Sequence, residues 1–319
     1  MLTEPDFLEK KIIVIMSHLG DKILFKNDNI VVNDFNGKVK FQMSCYKLFA
    51  IFVVGGFNIT TGIIEKSKRF GFSIVLFTLN FKIYSTINFS LEGNTLLRKK
   101  QYLSKRTDEI AKAIIINKIE NQKNFLKKMR DKTINDGISI LNEYVEKLNS
   151  MEPNTYEVMG IEGNAAKVYF NRMFKDFEWK GRQPRVKRDK INLFLDIGYT
   201  VLFNYIEGIL NIYGFDIYKG NLHKEFYKRK SLVCDIIEPF RVIVDYRVKK
   251  GFKLNQFEKY TYTIDNGQYH VTWKDGIDFM IIILEEINIY KANIFKYIQS
   301  YYRWIMKDKK IEDFPKVEL

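Results

Sequence analysis

The sequence predicts an α+β chain, with a small N-terminal β-sandwich or β-roll domain followed by a larger all-α domain. Three observations carry that expectation. Up to about residue 90 the chain breaks into short runs rich in β-branched and aromatic residues, separated by turn chemistry. Asn36-Gly37 stands between two such runs, and this dipeptide tolerates the left-handed backbone of a tight hairpin. After Glu92-Gly93-Asn94 the texture changes to apolar residues at i, i+3, i+4 spacing with Lys and Glu between them. The boundary is therefore placed between a strand domain, residues 1–92, and a helical domain, residues 93–319.

Taken in order, strands are expected at Ile12–Met16, Lys22–Phe25, Ile30–Val32, Val39–Met43, Phe49–Val54, Ile74–Thr78 and Ile83–Ile87. Thr60 and Thr61 followed by Gly62–Arg69 suit one short helix among them. Two helices, Thr95–Asn121 and Asn124–Leu148, form a hairpin-like pair. The pair closes at Met151-Glu152-Pro153-Asn154, because the residue before a proline is driven out of the helical region. A helix from Glu162 to Phe174, a basic loop Lys180–Lys190 and a strongly apolar helix Lys190–Tyr213 come next. Ser231 suits the N-cap of the segment behind it. One long last helix runs from Gly276 to Asp308, with Lys307, Lys309 and Lys310 favourably placed at its C-terminus.

Composition narrows the class of function. With 46% hydrophobic residues in 319, the chain can bury real cores and is no disordered tail. The net charge of +14 favours polyanionic partners, nucleic acid before membrane surface. The longest apolar run, from Leu48 to Phe57, is far short of the ~20 residues of a spanning helix. The opening Glu4, Asp6 and Glu9 have the wrong sign for a signal peptide. Cys45 and Cys234 stand alone, as suits a reducing cytoplasm. The bland expectation is a cytoplasmic nucleic-acid binder.

Chemistry concentrates in Leu222–Arg241. His223 is followed by a basic run, then by Asp235 and Glu238 three residues apart, then by Pro239 and Arg241. Carboxylates at i and i+3 on a helix lie roughly 5–6 Å apart and repel, unless a cation joins them. Divalent metals take carboxylate oxygens, and imidazole suits manganese or zinc. Pro239 lacks the donor that a continuous helix would send to the carbonyl of Asp235. The alternative is plain: Asp235 solvated, and Glu238 paired with Arg241. Glu162 is the next candidate, flanked by Gly160, Gly163, Ala165 and Ala166, which leave room beside its carboxylate. Its ordinary role would be an acid in a first helical turn. His18 and His270 have no acidic or cysteine partner at ligand spacing and read as structural.

The ordered set Gly160-Ile161-Glu162-Gly163-x-Ala165-Ala166-x-x-Tyr169-Phe170, Asp189-x-x-Asn192, Gly198-Tyr199-x-x-Leu202, Gly214-x-Asp216, Gly220-x-Leu222-His223 and Ser231-Leu232-x-x-Asp235-x-x-Glu238-Pro239-Phe240-Arg241 resembles the CRISPR-associated spacer-acquisition endonuclease and integrase, the first and universal Cas protein family. The resemblance is close over about 160–250, and the β-then-α order agrees with the family's plan. Ile217 and Val242 stand where that family often has proline, both at scaffold positions.

The resemblance implies a Mg²⁺- or Mn²⁺-dependent enzyme that joins DNA 3′-OH ends into a repeat array. Glu162, His223 and Glu238 would bind the metal, and Asp235 would belong to the site either as a ligand or behind one. It also implies a homodimer formed through residues 1–92, double-stranded DNA as substrate, and the small second Cas protein as partner. Phosphodiester transfer needs charge neutralised at phosphorus, which a carboxylate-and-imidazole metal site supplies. Arg182, Arg185, Lys187, Arg188, Lys224, Lys228, Arg229 and Lys230 are the candidate phosphate contacts, against the alternative of a solvated basic face. Tyr169, Trp179, Tyr199 and Tyr227 read as core rather than stacking platforms, with one of the four expected to touch DNA. Two other functions compete: a general metal-dependent nuclease on branched DNA or RNA, and a non-catalytic DNA-binding scaffold of the same fold.

Overall fold

The computed structural model describes every residue except 1–3, 17–19, 57–59, 79–82, 88–93, 130 and 132–133. His18 lies outside the described residues. The chain divides into two compact units, residues 1–94 with Gly208–Phe215, and residues 95–207 with 216–319. Its fold is mixed, with strand sheets first and a helical remainder.

The first unit holds a short helix α1 (Glu4–Glu9), strands β1 (Lys11–Met16), β2 (Lys22–Lys26), β3 (Asn29–Asn33), β4 (Val39–Ser44) and β5 (Leu48–Val54), helix α2 (Thr61–Phe70), and strands β6 (Ser73–Phe77) and β7 (Ile83–Ile87). β2, β3 and β4 form an antiparallel meander. Its first turn sets Asn27 and Asp28 both at positive φ, 48° and 58°, the turn geometry that matches strand twist. The larger sheet, in order β1-β5-β6-β7, is mixed: β1, β5 and β6 run parallel and β7 antiparallel. Parallel strands need a crossover and cover on both faces. Helix α2 is the crossover from β5 to β6, and every residue of β5 and β6 is buried. Unbroken apolar runs such as Leu48–Val54, rather than alternation, are the sequence mark of that two-sided burial.

The second unit is built from α3 (Thr95–Leu103), α4 (Thr107–Lys128), α5 (Asn135–Ser150), α6 (Thr155–Met173), α7 (Lys190–Tyr213) up to Glu207, α8 (Ser231–Ile236), α9 (Arg241–Lys253), α10 (Trp273–Ile289) and α11 (Lys291–Met306). It also carries one hairpin, β8 (Tyr262–Asp265) with β9 (Gln268–Val271), so this part is not purely helical.

Several helix boundaries correct the sequence expectation. The helix expected over Thr95–Asn121 is two, because the Ser104 hydroxyl accepts the Arg106 N–H at 3.4 Å and offers the backbone a local alternative. The helix expected from Glu162 starts at Thr155, where the Asn154 side chain accepts the N–H groups of Tyr156 and Glu157. Gly276–Asp308 is two helices separated at Tyr290, with neither glycine nor proline to mark the break. Ser231 is not an N-cap; its hydroxyl is spent on the carbonyl of Lys224 at 3.0 Å. Helix α7 has the length and apolarity of a membrane span, but 83% of its most apolar window is buried within the protein.

Candidate active site

Helix α4 brings Lys118 inward, four residues after Ile114 and three after Ile115, both fully buried. Helix α6 places Glu162 beyond its first turn, so the macrodipole role expected for that residue does not hold. Behind α8, the chain passes through a single 3₁₀ turn, Glu238–Phe240, before α9 begins. Pro239 sits inside that turn, where its missing N–H breaks no helical ladder.

These elements converge on one cluster of charge. The Lys118 ammonium contacts Glu162 Oε1 and lies 2.6 Å from Glu238 Oε2, and Arg241 Nε donates to Glu238 Oε1 at 3.0 Å. Burial alone would raise the acid of Glu238, yet Arg241 and Lys118 outweigh it and hold the carboxyl down at about 2. Burial likewise works against the Lys118 ammonium, but Glu238 and Glu162 overcome it and its pKa rises. The Glu238–Arg241 pair expected on plain helical grounds is thus present, as one arm of a larger cluster.

Asp235 is built differently. It is fully buried, and it accepts the backbone N–H groups of Asn221, Leu222 and His223 at 2.5, 3.0 and 2.9 Å. Its Oδ1 also meets His223 Nδ1 at 2.8 Å. With Nδ1–H donated to the carboxylate, Nε2 keeps its lone pair for a cation. The loop before His223 can approach α8 this closely only because of Gly220, where a Cβ would fall 2.7 Å from Ser231 Cβ and 2.8 Å from the His223 carbonyl. Asp235 therefore positions the histidine and has no oxygen to spare.

A third buried carboxylate lies deeper. Asp245 on α9 accepts the hydroxyls of Tyr169, at 3.0 Å, and Tyr199. Burial lifts its acid to about 6 against the pull of both tyrosines, Arg241 and Arg182. The Tyr199 ring in turn carries two guanidinium groups, Arg241 at 4.7 Å and Arg182 at 5.3 Å.

Lys118, Glu162, His223, Glu238 and Arg241 line a single open cavity of about 1070 Å³, joined by Lys167, Lys180, Arg182, Arg185 and Lys187. Beside Glu162 the wall is open: a Cβ at Gly160 or Gly163 would meet nothing within 4 Å. Among the expected phosphate contacts, Arg182, Arg185 and Lys187 line this cavity, whereas Arg188, Lys224, Lys228, Arg229 and Lys230 do not. Arg182 is partly committed to Asn192, at 2.9 Å, and to Asp196 on α7, and Lys230 is paired with Glu207 at 2.6 Å. Tyr169 and Tyr199 are core, but Tyr227 is 79% exposed with Lys228 over its ring, so the core expectation fails there. His270 pairs across the hairpin opposite Thr263 and does not line the cavity.

Among the described residues, no three carboxylate, imidazole or thiolate groups stand close enough to hold a metal as they are. What stands between Glu162 and Glu238 is an ammonium, so two carboxylates already share one cation. The donor set, two carboxylates with an imidazole fixed through its far nitrogen, fits a hard divalent ion. Lys118, Lys167 and Lys180 were not among the residues expected from sequence. The only signal for Lys118 was its place in the apolar stripe of α4.

A family model described as "CRISPR associated protein Cas1" matches residues 14–278. The CRISPR-associated endonuclease Cas1 1 of Thermodesulfovibrio yellowstonii is 31% identical over 230 residues, covering 68% of this chain and 72% of that protein. Among solved structures, a casposase bound to an integration product superposes with a TM-score of 0.78 at 20% identity, over 97% of this chain and 92% of that one. A chain of a partial Cas6-RT-Cas1–Cas2 complex gives 0.71 at 17% identity, over 97% and 99%. At these identities the two structures bear on the fold.

Proposed function

The chain belongs to the Cas1 family of CRISPR-associated proteins, and on that premise we propose that it is a divalent-metal-dependent DNA endonuclease and integrase of CRISPR adaptation. The observation that carries this reading is the convergence of Glu162, Glu238 and the Asp235-oriented His223 in one basic, open cavity. Glu162, Glu238 and His223 Nε2 would hold Mg²⁺ or Mn²⁺, which when bound supplies Lewis-acid charge at the phosphodiester.

The remaining work falls to the chain itself. Asp235 keeps His223 in one tautomer and one orientation. Arg185, Lys187, Lys180 and Lys167 hold backbone phosphates along the cavity. The glycine face of α6 admits the duplex beside Glu162. In strand transfer, a spacer 3′ oxygen loses its proton and forms a bond to phosphorus. The target strand's P–O3′ bond breaks, and its oxygen takes up a proton. We extend the reading to a cytoplasmic homodimer associating through residues 1–92 and working with the small second Cas protein, the pairing that the name of the Cas6-RT-Cas1–Cas2 complex records for its own chains.

A strand-transfer assay tests this, with a 3′-OH duplex, a repeat-bearing plasmid, and Mn²⁺, Mg²⁺ or EDTA, with and without the partner. Joined products should require metal and fall about a thousandfold in Glu162→Ala and His223→Ala. Full activity in both variants overturns the site, and cleavage without joining moves the reading to a general nuclease.

A further inference from the structure

We propose that Lys118 is a built-in occupant of the divalent-cation position: its ammonium holds Glu162 and Glu238 together in the metal-free protein, and a divalent ion binds by displacing it. This rests on the preceding reading, that the two carboxylates take a metal.

Lys118 does not reach the site by accident of a long side chain. Its side chain is only 8% exposed, on the buried stripe of a 22-residue helix. Burying an ammonium costs several kcal/mol unless charged partners compensate. A residue kept there for packing alone would be aliphatic. The two partners it has are the carboxylates that the metal reading needs, one of them 6% and the other 28% exposed.

The helix on either side of Lys118 is pinned by neutral amides. Asn117 exchanges two hydrogen bonds with the Val317 backbone, at 2.7 and 3.0 Å. Asn121 donates to the carbonyl of Pro239 at 3.0 Å, the residue after Glu238, and accepts from Leu319 N at 3.3 Å. The backbone of α4 is therefore in fixed register with Glu238, so exchange of cations requires movement of the Lys118 side chain only. That side chain opens on the 1070 Å³ cavity, which gives a displaced ammonium somewhere to go.

Charge explains what the device achieves. Lys118 and Arg241 balance Glu162 and Glu238, so the metal-free cluster is neutral and its carboxylates do not drive each other apart. When a divalent ion takes the carboxylates, the freed ammonium remains on α4. The cluster then carries two positive charges toward the phosphodiester. Metal binding and readiness for a polyanion become one event.

The test is Mn²⁺ titration followed by loss of the free-ion EPR signal, with thermal unfolding in EDTA and in Mn²⁺. Wild type, Lys118→Met and Lys118→Arg are compared. Lys118→Met should bind Mn²⁺ about tenfold more tightly or better, because the competing charge is gone. It should also melt lower than wild type in EDTA and gain more from Mn²⁺. Lys118→Arg should stay within about threefold of wild type. Should Lys118→Met fail to fold in EDTA, Lys118→Gln read the same way decides the matter. Unchanged or weaker affinity in a folded, neutral variant overturns this inference alone. A wild type that takes up no Mn²⁺ overturns the metal reading and this inference with it.

Discussion

Asp235 and Glu238 are three residues apart and both buried, yet their hydrogen-bonding and charged partners are of opposite kinds. Asp235 is neutralised by three main-chain N–H groups and a histidine. Glu238 is neutralised by two side-chain cations, Lys118 and Arg241. Main-chain donors cannot leave without unfolding the loop, whereas a lysine can swing. One carboxylate is therefore spent on building the site and the other is available to it. On the proposed reading Asp235 stands behind the ligand His223, because its two oxygens already accept three main-chain N–H groups and meet the imidazole.

The sharpest way to break that contrast is to neutralise one acid on each side of it. Asp235→Asn presents an NH₂ to donors that need an acceptor, and denaturant unfolding should show a loss of about 3–5 kcal/mol. Glu162→Gln, on a carboxylate 28% exposed, leaves the buried Lys118 ammonium its Glu238 partner and should cost about 2 kcal/mol, less than Asp235→Asn, while removing strand transfer. Equal destabilisation by the two would erase the distinction between building and exchangeable carboxylates.

A smaller effect follows from pH. Asp245 ionises ordinarily at 3.8 and in the folded chain at about 6, so between those values the folded state binds more protons than the unfolded. Its contribution therefore falls as pH rises through that window, by about 3 kcal/mol at ~1.36 kcal/mol per unit, and is flat above about pH 7. Glu238 has the opposite sign. Lowered from 4.5 to about 2, it stabilises fully above 4.5 and is lost as pH falls toward 2. Metal-free stability should accordingly peak where the two windows overlap, near about pH 4, and Asp245→Asn should flatten the decline from there to pH 6. A decline that survives the substitution removes Asp245 as its source.

Much of this was legible in the sequence, and the part that was not has a physical explanation. Strands β1 to β7 fall where β-branched runs and turn dipeptides put them, and α7 begins and ends at the residues its apolarity marks. Glu162, His223 and Glu238 were identified from ordered motifs spread over some 80 residues, and folding brings all three to one cavity. Gly198 and Gly220 in those motifs have steric reasons: a Cβ at Gly198 would lie 2.4 Å from Val244 Cγ1, and Gly220 is wedged between His223 and Ser231. Hidden were the features decided by tertiary contact. A lysine in a Lys-rich amphipathic helix looks like solvent-facing charge, and only the positions of Ile114 and Ile115 betray that Lys118 points inward. Asn154, beside Pro153, marks the end of one helix in the sequence, yet its side chain caps the start of the next. The break at Tyr290 carries no local signal at all.

Anomalous diffraction from crystals soaked in Mn²⁺ would locate the cation directly. A peak is expected roughly 2–2.4 Å from a carboxylate oxygen of Glu162, one of Glu238 and Nε2 of His223, with Asp235 still on Nδ1. A peak coordinated by Asp235, or a peak elsewhere with Lys118 still bridging the two glutamates, would contradict it.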